Sequence, residues 1–326
     1  RSITPTTDVG RVLVTRQVPS EGLQPLTSEG HEVVQRSDDV PYTHAELVAS
    51  AKDVQAIVCL LTDRIDASVL AAGAGTGLRA VGNVAVGYDN IDLEAAALLG
   101  VAVCNTPGVL DESVADLAFG LILSAARIAS EAERDLRAGS WPGWGINQYL
   151  GRDVHSAVLG LVGYGRISQA VARRAAGFSM KVLHHSRRDT SEDGYVGNLD
   201  SLLGQSDIVS IHVPLTDGTF HLIGARELAL MREDSVLVNT SRGPVVDELA
   251  LAEALETGAI FAAGIDVYEH EPQVHPRLLA APRAVLLPHI GSATRATRAR
   301  MTSVACEGVC DVLAGRHPAN LVTGHA

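Results

Sequence analysis

Cysteine, aromatic side chains, long apolar runs and positive charge are all in short supply in this chain. Of 326 residues, four are cysteine and 4% are aromatic. Cys59, Cys104, Cys306 and Cys310 contain no CxxC pair, which speaks against a zinc ribbon or a thioredoxin-type motif and for buried thiols in a reducing compartment. Cys306 and Cys310 are spaced to share one helix face, but two ligands without a second pair do not make a metal centre, and none is expected. No run approaches the ~18 apolar residues of a membrane-spanning helix. The opening RSITPTTDVG also lacks the apolar core of a signal peptide, so a soluble, cytoplasmic protein is expected. Basic residues number 26 against 38 acidic, a formal charge of −12. That excess argues against nucleic acid or an anionic membrane as the main partner, while leaving room for a local basic pocket that takes a small anion.

What the chain does have is apolar substance, 46% of its residues, enough for two cores of ordinary size. Short apolar runs alternate with helical patterns from the start: RVLVT at Arg11, then His31 to Gln35, QAIVCLL at Gln55 and LRAVG at Leu78. This beat implies parallel strands joined by right-handed crossovers. From Asp111 the pattern is helical for over twenty residues, with Val114, Leu117, Ala118, Leu121, Ile122 and Ala125 on a wide apolar face, until GSWPGWG breaks it. Strands resume at Val158 to Val162, Met180 to His184, Asp207 to Val213, Ser235 to Asn239, Ala259 to Ile265 and Ala284 to Leu287. Helical segments at Leu199 to Gly204, Ala225 to Met231 and Glu248 to Thr257 separate the later ones, and a last helix spans Ser292 to Ala314. The hinges are placed near Pro107 and His289, giving one domain of residues 1–106 with 290–326 and a second of 107–289.

The second domain opens on the most informative stretch, AVLGLVGYGRISQAVARR. A buried strand, the Gly163-Tyr164-Gly165 turn, a helix from Arg166 and a second strand follow within about thirty residues, the context a dinucleotide fingerprint needs. Gly163 permits the tight turn, and Gly165 lets backbone N–H groups approach a pyrophosphate at the helix's positive end. Ser168 stands where a third glycine is expected; a glycine turn with no ligand is the bland alternative.

Three polar clusters lie just past strand ends, where doubly wound sheets bind ligands: Asn239 to Gly243, Asp266 to Pro272, and Pro288 to Gly291. Arg242 offers a planar donor fork for a carboxylate, or else is a solvated surface arginine. Glu271 and His289 come from neighbouring strand ends. A histidine oriented by a buried carboxylate, which keeps the imidazole protonated until needed, is the usual proton donor near neutral pH, although a lone histidine is more often structural.

The motifs NVAVGYDNID (from Asn83), NTPGVL (from Asn105), LGLVGYGRISQAVARR, VNTSRGPVVDE (from Val238), GIDVYEHEP (from Gly264) and LPHIGSAT (from Leu287) occur in this order. With them the chain resembles the D-2-hydroxyacid dehydrogenase family over nearly its full length, and within it most the glyoxylate and hydroxypyruvate reductases. The resemblance implies a flavodoxin-like substrate domain and an NAD(P)-binding Rossmann domain, both doubly wound, with the active site in the cleft. It implies His289 as the acid that protonates the keto oxygen, Glu271 as its orienting carboxylate and Arg242 as the clamp on the substrate carboxylate. The N–H groups of Val86 and Gly87 would bind the same anion, with Ser292 near the substrate and Asp266 near the nicotinamide end; Leu60 and Leu61, at the end of a first-domain strand, are placed where they could wall the pocket. The related formate dehydrogenases carry Gln where Glu271 stands. Cofactor contacts are expected from Gly163, Tyr164, Gly165, Arg166, Ile167, Ser186, Arg187, Arg188, Val213, Pro214, Thr240, Ser241, Arg242, Asp266, His289 and Gly291. In the resembling reductases a tryptophan matching Trp141 reaches a partner subunit's site, so a homodimer is expected; a plain hydrophobic anchor at the dimer contact is the other reading of WPGW.

The second strand of the fingerprint runs into His184, His185, Ser186, Arg187 and Arg188, with Asp189 beyond. No acid occupies the position that binds the ribose 2′-hydroxyl of NAD, and two cations are placed to receive a 2′-phosphate, so NADP(H) is preferred and NAD(H) possible. The expected reaction is NADPH-dependent reduction of glyoxylate to glycolate and of hydroxypyruvate to D-glycerate. An NAD-linked dehydrogenase of another 2-hydroxy acid, such as D-lactate or phosphoglycerate, and a dinucleotide-sensing corepressor are the alternatives, since fold does not fix function.

Overall fold

The computed structural model describes residues 9–188 and 191–322, so Asp189 lies outside the described residues. The chain divides into two compact units, one running to Leu110 and resuming at Ser292, the other spanning Asp111–Gly291.

In the first unit β1 (Arg11–Val14), α1 (Gln24–Ser28), β2 (Glu32–Gln35), α2 (His44–Ala51), β3 (Ala56–Cys59), α3 (Ala67–Ala74), β4 (Ala80–Asn83), α4 (Leu93–Leu98) and β5 (Ala102–Cys104) alternate. The strands form one parallel sheet in the order β2-β1-β3-β4-β5, the flavodoxin-like arrangement. β3 and β4 are buried at every position, as parallel strands covered on both faces must be. One face packs Leu13, Ile57, Val81 and Val103 against Leu47, Val69 and Leu70 of the helices. Each such side chain contributes about 1.5–3 kcal/mol by leaving water.

The second unit holds α5 (Asp111–Ala126), α6 (Ala129–Arg137), β6 (Val158–Val162), α7 (Arg166–Ala176), β7 (Lys181–His185), α8 (Leu199–Gln205), β8 (Ile208–Ile211), α9 (Ala225–Leu230), β9 (Val236–Asn239), α10 (Glu248–Thr257), β10 (Ala262–Ile265), α11 (Pro276–Ala280) and β11 (Ala284–Leu286). Its parallel sheet runs β11-β10-β9-β8-β6-β7. The order reverses between β6 and β8, and that switch point is where the glycine turn emerges. α5 and α7 cover one face through Ala118, Leu121, Ile122, Ala170 and Val171. The other face is covered through Leu202, Leu203, Leu251 and Leu255 of α8 and α10. The final helix α12 (Arg295–Leu313) belongs to the first unit, where Met301, Ala305 and Val309 are buried.

Two local expectations need correction. The helix from Asp111 does not run on for more than twenty residues: it stops at Ala126 and restarts at Ala129 with a 68° bend. The Ala126 carbonyl is taken by the Arg152 N–H at 2.7 Å, and Ile128 sits in the left-handed region at φ 52°. A remote segment thus claims the hydrogen bond the helix needs to continue. No strand was expected at β5, because its three residues are too few to carry a periodicity of their own. All four cysteines are buried free thiols. Among the described residues no single helix is long and apolar enough to cross a membrane.

Candidate active site

The glycine turn is built as the fingerprint requires. Gly163 has φ 91°, and a Cβ there would lie 2.8 Å from the His212 carbonyl oxygen and 3.0 Å from Val213 Cγ1, so no side chain fits. A Cβ on Gly165 would meet nothing within 4 Å; the backbone at this point borders open space. Gly165 is also the N-cap of α7 and supplies no side-chain cap, which leaves the first N–H groups of the helix to a ligand. Ser168 resolves the departure from the glycine pattern: it is fully buried, and its hydroxyl donates to the Gly163 carbonyl at 2.7 Å. The turn is closed by a side-chain bond where the family pattern has a third glycine. Arg166 is held at 3.2 Å by Asp111, whose carboxyl burial pushes up and Arg166 partly brings down.

At the end of β7, His184 is fully buried and stacks on Tyr164 with ring centroids 3.7 Å apart. The Ser186 hydroxyl donates to the Arg188 carbonyl at 2.6 Å, and Arg187 and Arg188 are exposed. The loop after β8 carries Val213 against the glycine turn, with Pro214 next to it.

The three polar clusters converge within the second unit. After β9, Asn239 organises the loop: its amide donates to the Arg242 carbonyl at 2.9 Å, and its side-chain oxygen accepts from the Ser241 N–H and hydroxyl at 3.0 and 2.8 Å. Gly243 lies so close to the Tyr268–Glu269 peptide that a Cβ would come within 1.9 Å of it. The Thr240 hydroxyl oxygen is buried and makes no hydrogen bond within the described residues, as a group reserved for a ligand would be.

After β10, both oxygens of Glu271 lie at 3.0 and 2.8 Å from His289 Nδ1. Burial, the largest single influence on Glu271, raises its pKa; the hydrogen bond and charge of His289, the Tyr268 N–H and the nearby Arg242 together outweigh it and hold the carboxyl below its ordinary range. Glu271 is therefore ionised at neutral pH and fixes the imidazole by Nδ1, leaving Nε2 as the outward atom. After β11, His289 adopts φ 54°, an uncommon conformation for a residue with a side chain. Asp266 enforces it: its two oxygens accept from the Ile290 and Gly291 N–H groups, each at 2.8 Å. Asp266 is 1% exposed, so its carboxylate holds the histidine loop. The expectation of a place near the nicotinamide end foresaw no such task.

In the first unit, the turn after β4 is shaped by two side-chain amides. Asn83 donates to the Gly87 carbonyl and Asn105 to the Val86 carbonyl, both at 2.8 Å. No partner for the Val86 or Gly87 N–H lies among the described residues. Leu60 is half-buried just past β3, and Ser292 half-buried beside Gly291. Trp141 is 48% exposed, between α6 and β6. Asn83 and Asn105 were given no task from sequence, and Asn239 and Tyr268 were named only as members of polar clusters; the signal that marks the asparagines is an amide at the end of an apolar strand.

Elsewhere, Glu29, His31 and Cys310 bring ligand-type atoms within 4.8 Å of one another. The Gly10 N–H donates to His31 Nδ1 at 3.0 Å, which puts the ring hydrogen on Nε2, the atom facing the other two, so a neutral imidazole has no lone pair there for a cation.

Residues 119–291 match the family model described as the D-isomer specific 2-hydroxyacid dehydrogenase, NAD binding domain. The chain belongs to the D-isomer specific 2-hydroxyacid dehydrogenase family. It is 46% identical over 321 residues to a glyoxylate reductase of Korarchaeum cryptofilum, covering 96% of this chain and 95% of the relative. Among solved structures, a glyoxylate reductase from Paecilomyes thermophila superposes with a TM-score of 0.86 at 34% identity, covering 97% and 99% of the two chains. An NADPH-dependent glyoxylate/hydroxypyruvate reductase from Sinorhizobium meliloti, in complex with NADP and malonate, gives 0.83 at 33% identity over 96% of each. This dehydrogenase is accordingly an NAD(P)-dependent oxidoreductase, and the open, uncapped turn at Gly165 with the orphaned Thr240 hydroxyl fits a dinucleotide.

Proposed function

We propose that this dehydrogenase reduces small 2-oxo acids, glyoxylate to glycolate and hydroxypyruvate to D-glycerate, with NADPH preferred over NADH. The observation that carries the reading is the His289–Glu271 pair, with Arg242 near enough to bias the same carboxylate. Arg242 would hold the substrate carboxylate by its planar fork, a role we also give the N–H groups of Val86 and Gly87, which have no partner among the described residues. His289 Nε2 would donate a proton to the keto oxygen, while Glu271 keeps the ring from turning and balances the charge. Ser292, Leu60 and Trp141 are assigned to the substrate's surroundings. The bound nicotinamide supplies the hydride for C2.

Gly163, Tyr164, Gly165, Arg166 and Ile167 would hold the pyrophosphate end, with Val213 and Pro214 over the turn and Thr240, Ser241, Asp266 and Gly291 lining or shaping the nicotinamide end. Ser186, Arg187 and Arg188 would receive the 2′-phosphate: both arginines are exposed and no carboxylate stands between His184 and Arg188. The glyoxylate reductase of Korarchaeum and the NADP-bound relative from Sinorhizobium support the substrate and the cofactor. Steady-state kinetics with glyoxylate, hydroxypyruvate and pyruvate, each with both cofactors, tests the reading. We expect the highest kcat/KM for glyoxylate or hydroxypyruvate with NADPH; a lower KM for NADH, or turnover of none of the three acids, overturns it.

A further inference from the structure

The chemistry proposed above depends on two loops keeping a fixed separation, the one after β9 that carries Arg242 and the one after β10 that carries Glu271. A second group of ionisable side chains, which the reaction itself does not use, joins these loops. Glu248, at the start of α10, is 7% exposed, and its carboxylate accepts from the backbone N–H groups of Glu269 and His275. Glu269 answers in kind: one oxygen accepts from the Glu248 N–H at 2.8 Å, and the other lies 3.0 Å from His221 Nε2. His221 in turn arrives from the loop before α9. Its N–H donates to the Pro244 carbonyl at 2.8 Å, and its Nδ1 is 3.8 Å from the Asp247 carboxylate. The backbone of His221 sits at φ 47°, an uncommon conformation that its surroundings enforce.

Two carboxylates facing each other's backbone amides form a reciprocal latch. Each satisfies a donor that an apolar replacement would leave bare, and charge-assisted bonds of this kind are the stronger ones. Its placement relative to the proposed chemistry is the decisive point. Gly243, directly after Arg242, is pressed onto the Tyr268–Glu269 peptide, and the Tyr268 N–H donates to Glu271 at 3.1 Å. The latch therefore closes beside Tyr268, whose carbonyl-side peptide is pressed by the arginine turn and whose own N–H binds the Glu271 carboxylate.

We infer that Glu269, locked by His221 and paired with Glu248, is a positioning residue that sets the distance between the carboxylate clamp and the proton donor. This rests on the function proposed above for its catalytic consequence, but not for its structural one. In Glu269→Ala both loops lose their cross-tie. In Glu269→Gln the side-chain oxygen still accepts from the Glu248 N–H, and the amide donates to His221 Nε2 once the imidazole hydrogen moves to Nδ1, toward Asp247, so the latch re-forms.

Hydrogen exchange and kinetics on the full-length protein decide it. Glu269→Ala is expected to speed exchange in residues 239–248 and 266–275 together while residues 158–176 stay as protected as before. It is expected to raise the KM for glyoxylate on the order of 10-fold to 100-fold with the cofactor KM within about twofold, and Glu269→Gln is expected to restore both readouts. Unchanged exchange in residues 239–248, acceleration spread over the whole of Asp111–Gly291, or a Gln variant no better than Ala overturns the latch. Should the Ala variant fail to fold, His221→Ala gives the same decision through a smaller change in the same two segments. A wild-type enzyme that reduces none of the three acids overturns the proposed substrate, while the exchange data still judge the latch.

Discussion

His289 shows how much one residue's backbone carries. It holds an uncommon φ because two backbone amides beyond it are bound by a buried Asp266, and it faces Glu271 through Nδ1. Replacing His289 by Ala removes the proton donor proposed above but not the turn, so kcat should fall by about 10²–10⁴ while the KM for NADPH changes little; stopped-flow turnover with a fluorescence titration of the cofactor measures both. Gly243→Ala is a different kind of loss. Its Cβ would occupy the space of the Tyr268 carbonyl, so the arginine turn and the Tyr268 peptide must part, at a cost of about 1–3 kcal/mol or more. A drop in midpoint in urea denaturation accompanied by a raised KM for glyoxylate is the expected pair of results. The three catalytic candidates were readable in sequence because each sits in a recognisable motif past a strand end. Asp266 was legible only as an acid in the right place, since nothing in GIDVYEHEP says that its oxygens reach Ile290 and Gly291.

At the level of elements, caps and breaks separate what a local pattern fixes from what it leaves open. Asp66 caps α3, accepting from the Ser68 and Val69 N–H groups at 3.0 and 3.3 Å. The Ser68 hydroxyl, the largest influence, and those amides, with His44, hold its carboxyl down at about 2 against an ordinary 3.8. Because the folded value lies below the unfolded one, the cap contributes fully above 3.8 and its contribution is lost as pH falls through about 2. Asp66→Ala should therefore cost about 1 kcal/mol at neutral pH, and the gap between variant and wild type should narrow in urea titrations as pH falls through that window. Such a cap is written in the sequence as Asp before an apolar helical run. The break between α5 and α6 is not. Both halves are good helix, and only the Arg152 N–H reaching the Ala126 carbonyl at 2.7 Å ends the first.

For the molecule as a whole, the segment from α6 to β6 leaves Leu136, Trp141, Trp144, Ile146 and Leu150 between 48% and 81% exposed, an unusual concentration of large apolar side chains. A second copy of the chain is the partner expected from the resemblance. Sedimentation should show a dimer, and Trp144→Glu with Leu150→Glu should shift it toward monomer; a monomeric wild type would remove the homodimer and the role of Trp141 together. Sequence by itself determined the alternation of strands and helices and the glycine turn, and it marked an arginine, a glutamate and a histidine past strand ends as candidates, because each is a local pattern tied to backbone geometry. Tertiary structure alone decided that Ser168 closes the turn, that Asp266 holds the His289 loop, and that Glu248 and Glu269 bind each other's amides. The first is set by how the helix leaves the glycine turn; the other two join residues whose separation in the chain carries no period, so only packing of the strand ends side by side brings their donors and acceptors within reach.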